Sequence, residues 1–212
     1  MITDAVYYHY LSALLEGNKA ECVKIIANLL EKNEDVKEIY TKLFQKSMYR
    51  IGYLWEHNRA SVANEHRATK ITESLLNLVY PKILDVEKSS KKVIITCIDK
   101  EFHELGARMV SDYFELMGWN SVFLGANTPQ NEILNIIKEE KPDLVGISNN
   151  FYINVARLLK LLEKIKEEFP KQKVIVGGQA LNGNSNISLN KFKGVTFIHD
   201  LDELEDYIRK QS

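Results

Sequence analysis

Along roughly the first eighty-five residues, apolar side chains recur every three or four positions, broken by the polar stretches "EGNK" at 16–19, "KNED" at 32–35 and "EHNRAS" at 56–61. This spacing predicts four amphipathic helices. Asn33 or Asp35 can cap the third, Ser61 can cap the fourth, and Pro81 falls where the fourth should end. After the polar run "DVEKSSKK" at 85–92 the pattern changes. Short apolar, β-branched runs at 93–98, 120–125, 144–148, 173–178 and 195–199 read as strands. Helical segments fit at 103–117, after Thr128 and Pro129, at 151–169, weakly after Gly178, and at 201–210. Continuous apolar strands alternating with helices indicate a parallel sheet covered on both faces. The expected architecture is α/β: an N-terminal four-helix bundle over 1–88, then a flavodoxin-like (Rossmann-like) doubly wound five-stranded domain over 91–212.

Composition narrows the partners. With 28 basic and 29 acidic residues, the chain has no basic field for nucleic acid and no acidic excess that would argue for disorder. Cys22 and Cys97 are far apart and form no Cys-x-x-Cys spacing, so neither a zinc site nor a disulfide framework is expected. The N-terminal stretch lacks the pattern of a secretion signal and no apolar run is long enough to span a bilayer, so a cytoplasmic protein with no membrane association is expected.

The stretch "KEFHELGARM" at 100–109 places Glu101, His103 and Gly106 at the junction of the first strand and its helix. Doubly wound sheets bind ligands at this edge. A neutral imidazole there can ligate a metal when its other ring nitrogen is held by an acceptor; Glu101 is the candidate, with Asp99 as a substitute. Gly106 removes a side chain from the first helical turn, so a bulky group can lie against the backbone. Taken alone the pattern also suits a surface histidine near a helix start. Ser148, Gly177, Gly178 and "LGANTP" at 124–129 fall on the same predicted edge, although loops at strand ends favour such residues anyway.

These residues resemble the cobalamin-binding domains, whose motif is Asp-x-His-x-x-Gly after the first strand, Ser-x-Leu after the third and Gly-Gly after the fourth. The resemblance implies that His103 replaces the corrinoid's own dimethylbenzimidazole as lower axial ligand to cobalt. The displaced nucleotide tail would pass Gly106, with Ser148 near the benzimidazole and Gly177 and Gly178 leaving room for it. Glu101 stands where Asp is usual, and "SNN" at 148–150 replaces Ser-x-Leu.

In the helical half, Trp55 precedes the turn at 56–61, and Glu65 and His66 follow it. An antiparallel hairpin would bring them to one end of the bundle. Glu65, Thr69 and Thr72 share a helix face, from which His66 points about 100° away. On the residues alone, Trp55 reads first as a core anchor, and Glu65 and His66 as a solvated surface. Trp followed by nine residues and Glu-His resembles the helical cap of MerR-type adenosylcobalamin photoreceptors. In that family the Trp covers the upper axial group while the Glu and His line its pocket. Their DNA-binding winged helix is not expected here, so direct DNA binding is not. Some relatives carry a histidine directly after the Trp; here Glu56 holds that place and His57 comes one later.

Three readings follow, the blandest of them a cobalamin store or a flavodoxin-like domain without cofactor, and the other two functional. The first is a stand-alone sensor that binds adenosylcobalamin, or methylcobalamin, reads light or the upper ligand, and signals to a protein partner or through a homo-oligomer. The second is a corrinoid carrier that shuttles a methyl group between methyltransferase subunits; such carriers share the four-helix cap and the lower histidine.

Overall fold

The computed structural model describes residues 1–181 and 192–211. The chain divides into two compact units, Met1–Asp85 and Val86–Ser212.

The first unit is helical. Helix α1 (Asp4–Glu16) starts where Thr3 Oγ1 accepts from the Val6 N–H and ends at Gly17, whose φ of 76° suits a left-handed stop. Asn18 caps α2 (Lys19–Glu31) in the same way. Asp35 caps the next helix, accepting from the N–H groups of Lys37 and Glu38. Asn33, the other candidate, instead occupies the left-handed region at φ 52° in the preceding turn. The predicted third helix is one rod of three segments: α3 (Val36–Glu38), a π-helical stretch (Ile39–Gln45) and α4 (Lys46–Glu56). The wider π turn sets Ile39, Tyr40, Leu43 and Phe44 all inward, fully buried. Ser61 and Asn64 form a capping box on α5 (Val62–Val79), and Pro81 opens a short further turn, α6 (Pro81–Leu84).

The second unit is a five-stranded parallel sheet in the order β2-β1-β3-β4-β5, where β1 is Lys92–Cys97, β2 Asn120–Gly125, β3 Leu144–Ser148, β4 Lys173–Gly177 and β5 Val195–Phe197. Between them run α7 (Leu105–Leu116), α8 (Gln130–Glu140), a 3-10 turn (Tyr152–Asn154) leading into α9 (Val155–Glu168), and finally α10 (Leu201–Arg209). On one face Ile133 and Ile137 of α8 and Leu158, Leu162 and Ile165 of α9 pack against Ile94, Val145, Ile147, Val174 and Val176. On the other, α7 packs on β1 and β2, and its Tyr113 hydroxyl donates to Glu205 of α10 at 2.7 Å.

In the sheet unit the differences from the sequence expectation are at the ends of elements. His103 precedes α7, which begins at Leu105, because the loop folds back on itself before the helix starts. The fourth and fifth strands stop at Gly177 and Phe197. After Gly178 there is one 3-10 turn, Gln179–Leu181, and the rest of the weak helix expected there lies outside the described residues. The strand order reverses between β1 and β3, so the connections leaving their carboxyl ends diverge and open a crevice there.

Candidate functional site

The loop that leaves β1 is held from several directions. Lys100 takes the left-handed region at φ 65°, and its N–H donates to Asn127 Oδ1 at 2.9 Å. Asn127 returns its own N–H to the Glu101 carbonyl at 2.8 Å, and Asn154 Nδ2 donates to the Lys100 carbonyl at 3.2 Å. Glu104 adds a tie to the loop after β2, accepting from the Ala126 N–H at 2.6 Å. This turn drives the Glu101 side chain inward, where it is fully buried.

A buried carboxylate is costly unless its lone pairs are used. Here they are. Oε1 accepts from the His103 N–H and lies beside the His103 ring Nδ1, both at 3.0 Å. Oε2 accepts from the N–H groups of Asn150 at 2.8 Å and Phe151 at 3.1 Å. Burial pushes the carboxyl up, but the bond from the His103 ring and those from the His103, Asn150 and Phe151 backbones outweigh it and hold the group below its ordinary value. With Glu101 held in its ionised form, the favoured tautomer of His103 carries its proton on Nδ1, facing the carboxylate, the arrangement in which Nε2 can act as a metal ligand. The His103 side chain is half exposed, with the edge of the Phe151 ring against it at 4.6 Å between centroids.

Of the other residues on this edge, Gly106 has nothing within 4 Å of where a side chain would begin, so open space lies beside the first turn of α7. Ser148 pairs in register with Cys97 at the ends of β3 and β1, and its Oγ lies 3.4 Å from Asn150 Nδ2. The two glycines after β4 differ. A Cβ on Gly177 would meet only the Ile198 carbonyl, at 3.4 Å, whereas on Gly178, at φ 111°, it would come within 2.2 Å of the Asn149 carbonyl oxygen. The protein's own backbone contact already requires glycine at Gly178. A half-exposed imidazole backed by a buried carboxylate, with open space beside Gly106, is a residue set that would fit a corrinoid whose own base has been displaced.

In the helical unit, Trp55 lies at the end of α4 and is 42% exposed. Glu65 Oε1 accepts from Thr69 at 2.8 Å, as their shared helix face predicts. His66 does not stay apart from Glu65: flexible side chains on adjacent positions bring Nε2 to 3.6 Å from Oε2. His57 folds back on α4, stacked on Tyr53 at 4.0 Å with Nδ1 2.8 Å from the Tyr53 carbonyl.

Sequence reasoning missed Glu104 and Phe151, placed Asn127 on this edge only as part of "LGANTP", and saw Asn150 only as a departure from Ser-x-Leu. None carries a spacing signal, since each acts through a loop distant in the chain.

Two matches to B12 binding domain families cover residues 91–189 and residues 8–80. Trimethylamine corrinoid protein 1 of Methanosarcina mazei is 22% identical over 172 residues, spanning 78% of this chain and 79% of that protein. The HTH-type transcriptional repressor CarA of Myxococcus xanthus is 28% identical over 90 residues, which are 42% of this chain and 31% of the repressor. The structure of the Methanosarcina barkeri monomethylamine corrinoid protein superposes with a TM-score of 0.86 over 100% of both chains at 16% identity, which shows a common fold. With a match in its helical unit, a match in its sheet unit and the histidine loop at the crevice, this chain belongs to the cobalamin (B12)-binding domain proteins.

Proposed function

We propose that this protein is a corrinoid carrier of a methyltransferase system, with His103 as the lower axial ligand to cobalt. The observation that carries the reading is the Glu101–His103 unit, an imidazole aimed outward by a buried carboxylate at the switch point of the sheet. The alignment with an amine corrinoid protein over nearly four-fifths of both chains favours a carrier. Bound cobalamin would supply a cobalt centre that accepts a methyl group from one subunit and yields it to another. The residues' own work is to hold and tune that centre. Glu101 fixes the His103 ring and keeps the proton on Nδ1; Gly106 leaves the slot for the nucleotide tail, with Ser148 and Gly177 beside it. Adenosylcobalamin is not required by this reading, and methylcobalamin suits it.

The test is to reconstitute the protein with methylcobalamin and add a methyltransferase encoded beside its gene, following methyl transfer to a thiol acceptor. Wild type should turn over, and His103→Ala should bind the corrinoid more weakly, by ten-fold or more, without the spectrum of a histidine-ligated cobalt. Equal affinity and an unchanged spectrum in His103→Ala would sink the assignment.

A second reading, the sensor, is favoured by Trp55, Glu65 and His66 in the spacing of the photoreceptor cap and by the partial likeness to CarA. Size-exclusion chromatography of dark and illuminated protein loaded with adenosylcobalamin separates the two. A light-dependent change of assembly that Trp55→Ala removes would support the sensor; one hydrodynamic size in both states supports the carrier.

A further inference from the structure

Asn150 occupies the place of the leucine in Ser-x-Leu, and its side chain does what no leucine can. Its Nδ2 donates to the backbone carbonyl of His103 at 2.9 Å, and its Oδ1 accepts from the Gln179 N–H at 3.2 Å, directly after the Gly177-Gly178 pair. Its own N–H donates to Glu101 Oε2 at 2.8 Å, on the carboxylate whose other oxygen holds the His103 ring. One residue therefore grips the histidine's backbone, the histidine's carboxylate anchor and the turn after β4.

We propose that Asn150 is a positioning residue for the lower ligand, setting His103 before a corrinoid arrives and tying it to the glycine turn beside the tail slot. The inference rests on the reading of His103 as lower ligand. The physical reason lies in the count of attachments. His103 is half exposed, so burial alone does not fix its ring. Its N–H and Nδ1 meet Glu101, and its carbonyl accepts from Asn150 at 2.9 Å and from the Cys97 thiol, a weak donor, at 3.8 Å. Without Asn150 the carbonyl keeps only the weak thiol donor, and the peptide that carries the ring is held less firmly against rotation about the Glu101 contact. A ligand set loosely costs affinity even when every metal-binding atom is present, and groups that orient ligands typically contribute ten- to a hundred-fold.

Asn150→Leu restores the family's residue with the same branching of side-chain atoms, keeps the backbone N–H to Glu101, and removes all three side-chain bonds, to the His103 carbonyl, the Ser148 hydroxyl and the Gln179 N–H. Asn150→Ala removes them without bulk, should the leucine perturb folding. The probe is cobinamide, a corrinoid without a nucleotide base, reduced to its cobalt(II) form and studied by electron paramagnetic resonance. Any axial nitrogen splitting then comes from the protein, and ¹⁵N-histidine labelling turns the triplets into doublets. In wild type the bound cobalt should show imidazole splitting. In both variants affinity should fall about ten-fold, and a base-off signal without nitrogen splitting should appear. A residue that only supports the fold would lower the melting temperature and leave the splitting complete, which overturns the inference. Wild-type protein that binds cobinamide with no splitting overturns the His103 reading itself; complete splitting and unchanged affinity in both variants overturn the Asn150 role alone.

Discussion

Replacing Glu101 by Gln exchanges one acceptor oxygen for an NH₂ group while keeping size. Each carboxylate oxygen serves two donors, the His103 pair on Oε1 and the Asn150 and Phe151 pair on Oε2. Whichever oxygen is lost, two N–H groups face another donor. A hydrogen bond to a charged group contributes roughly 1.5–3 kcal/mol, so the two lost bonds amount to about 3–6 kcal/mol. The lower end is expected, about 3 kcal/mol, because the His103 ring is half exposed and water can replace its partner. Glu101→Asp keeps both oxygens but withdraws them by about 1.5 Å, one carbon–carbon bond, and should cost less than Gln. The assay is urea unfolding read by Trp119 fluorescence in a Trp55→Phe background, since Trp119 is buried in the sheet unit and the chain has 2 tryptophans. The acid limb gives a second check. The folded carboxyl titrates below its ordinary value of 4.5, so its contribution is fully present above that pH and is lost as pH falls through the folded value. The gap between wild type and Glu101→Gln should therefore close on acidification below about pH 4.5. A loss under about 1 kcal/mol at neutral pH would refute the four-bond account.

Three further outcomes follow from the same geometry. Gly178→Ala should cost about 3 kcal/mol or more, from a Cβ 2.2 Å from the Asn149 carbonyl oxygen at a positive φ, whereas Gly177→Ala should stay within about 1 kcal/mol; paired denaturation curves check this. Gly106→Ala should stabilise the corrinoid-free protein by up to about 1 kcal/mol, since it lies in α7 with open space around it, yet weaken cobalamin relative to cobinamide in titrations if the tail occupies that space. Both thiols should resist a disulfide reagent at pH 8 until the protein unfolds. Burial pushes Cys22 up to about 11, and burial with the nearby Glu101 and Glu104 charges pushes Cys97 up to about 12, leaving roughly one thiolate in a thousand and one in ten thousand.

Periodicity by itself determined the helical half, the five strands and the crossing from one to the other near residue 85, because each follows from which faces of a segment must leave water. It also placed His103, Glu101 and Gly106 at the junction of the first strand and its helix, at the carboxyl edge of the sheet, since strand ends are local events. It could not show the π-helical stretch in the third helix, where the inward set of Ile39, Tyr40, Leu43 and Phe44 fits an α spacing nearly as well. Nor could it show why Gly178 must be glycine, which depends on the Asn149 backbone 29 residues earlier, the same separation as the Gln179–Asn150 bond. Asn150 is the sharpest case. In the sequence it is a missing leucine, and it gains its partners only when β3 takes its place beside β1 and brings residue 150 against residue 101, 49 positions away. Hydrophobic pattern fixes which residues go inside, a property of neighbours in the chain. Which polar groups then satisfy one another is decided by strand order and register, and only the assembled sheet supplies those.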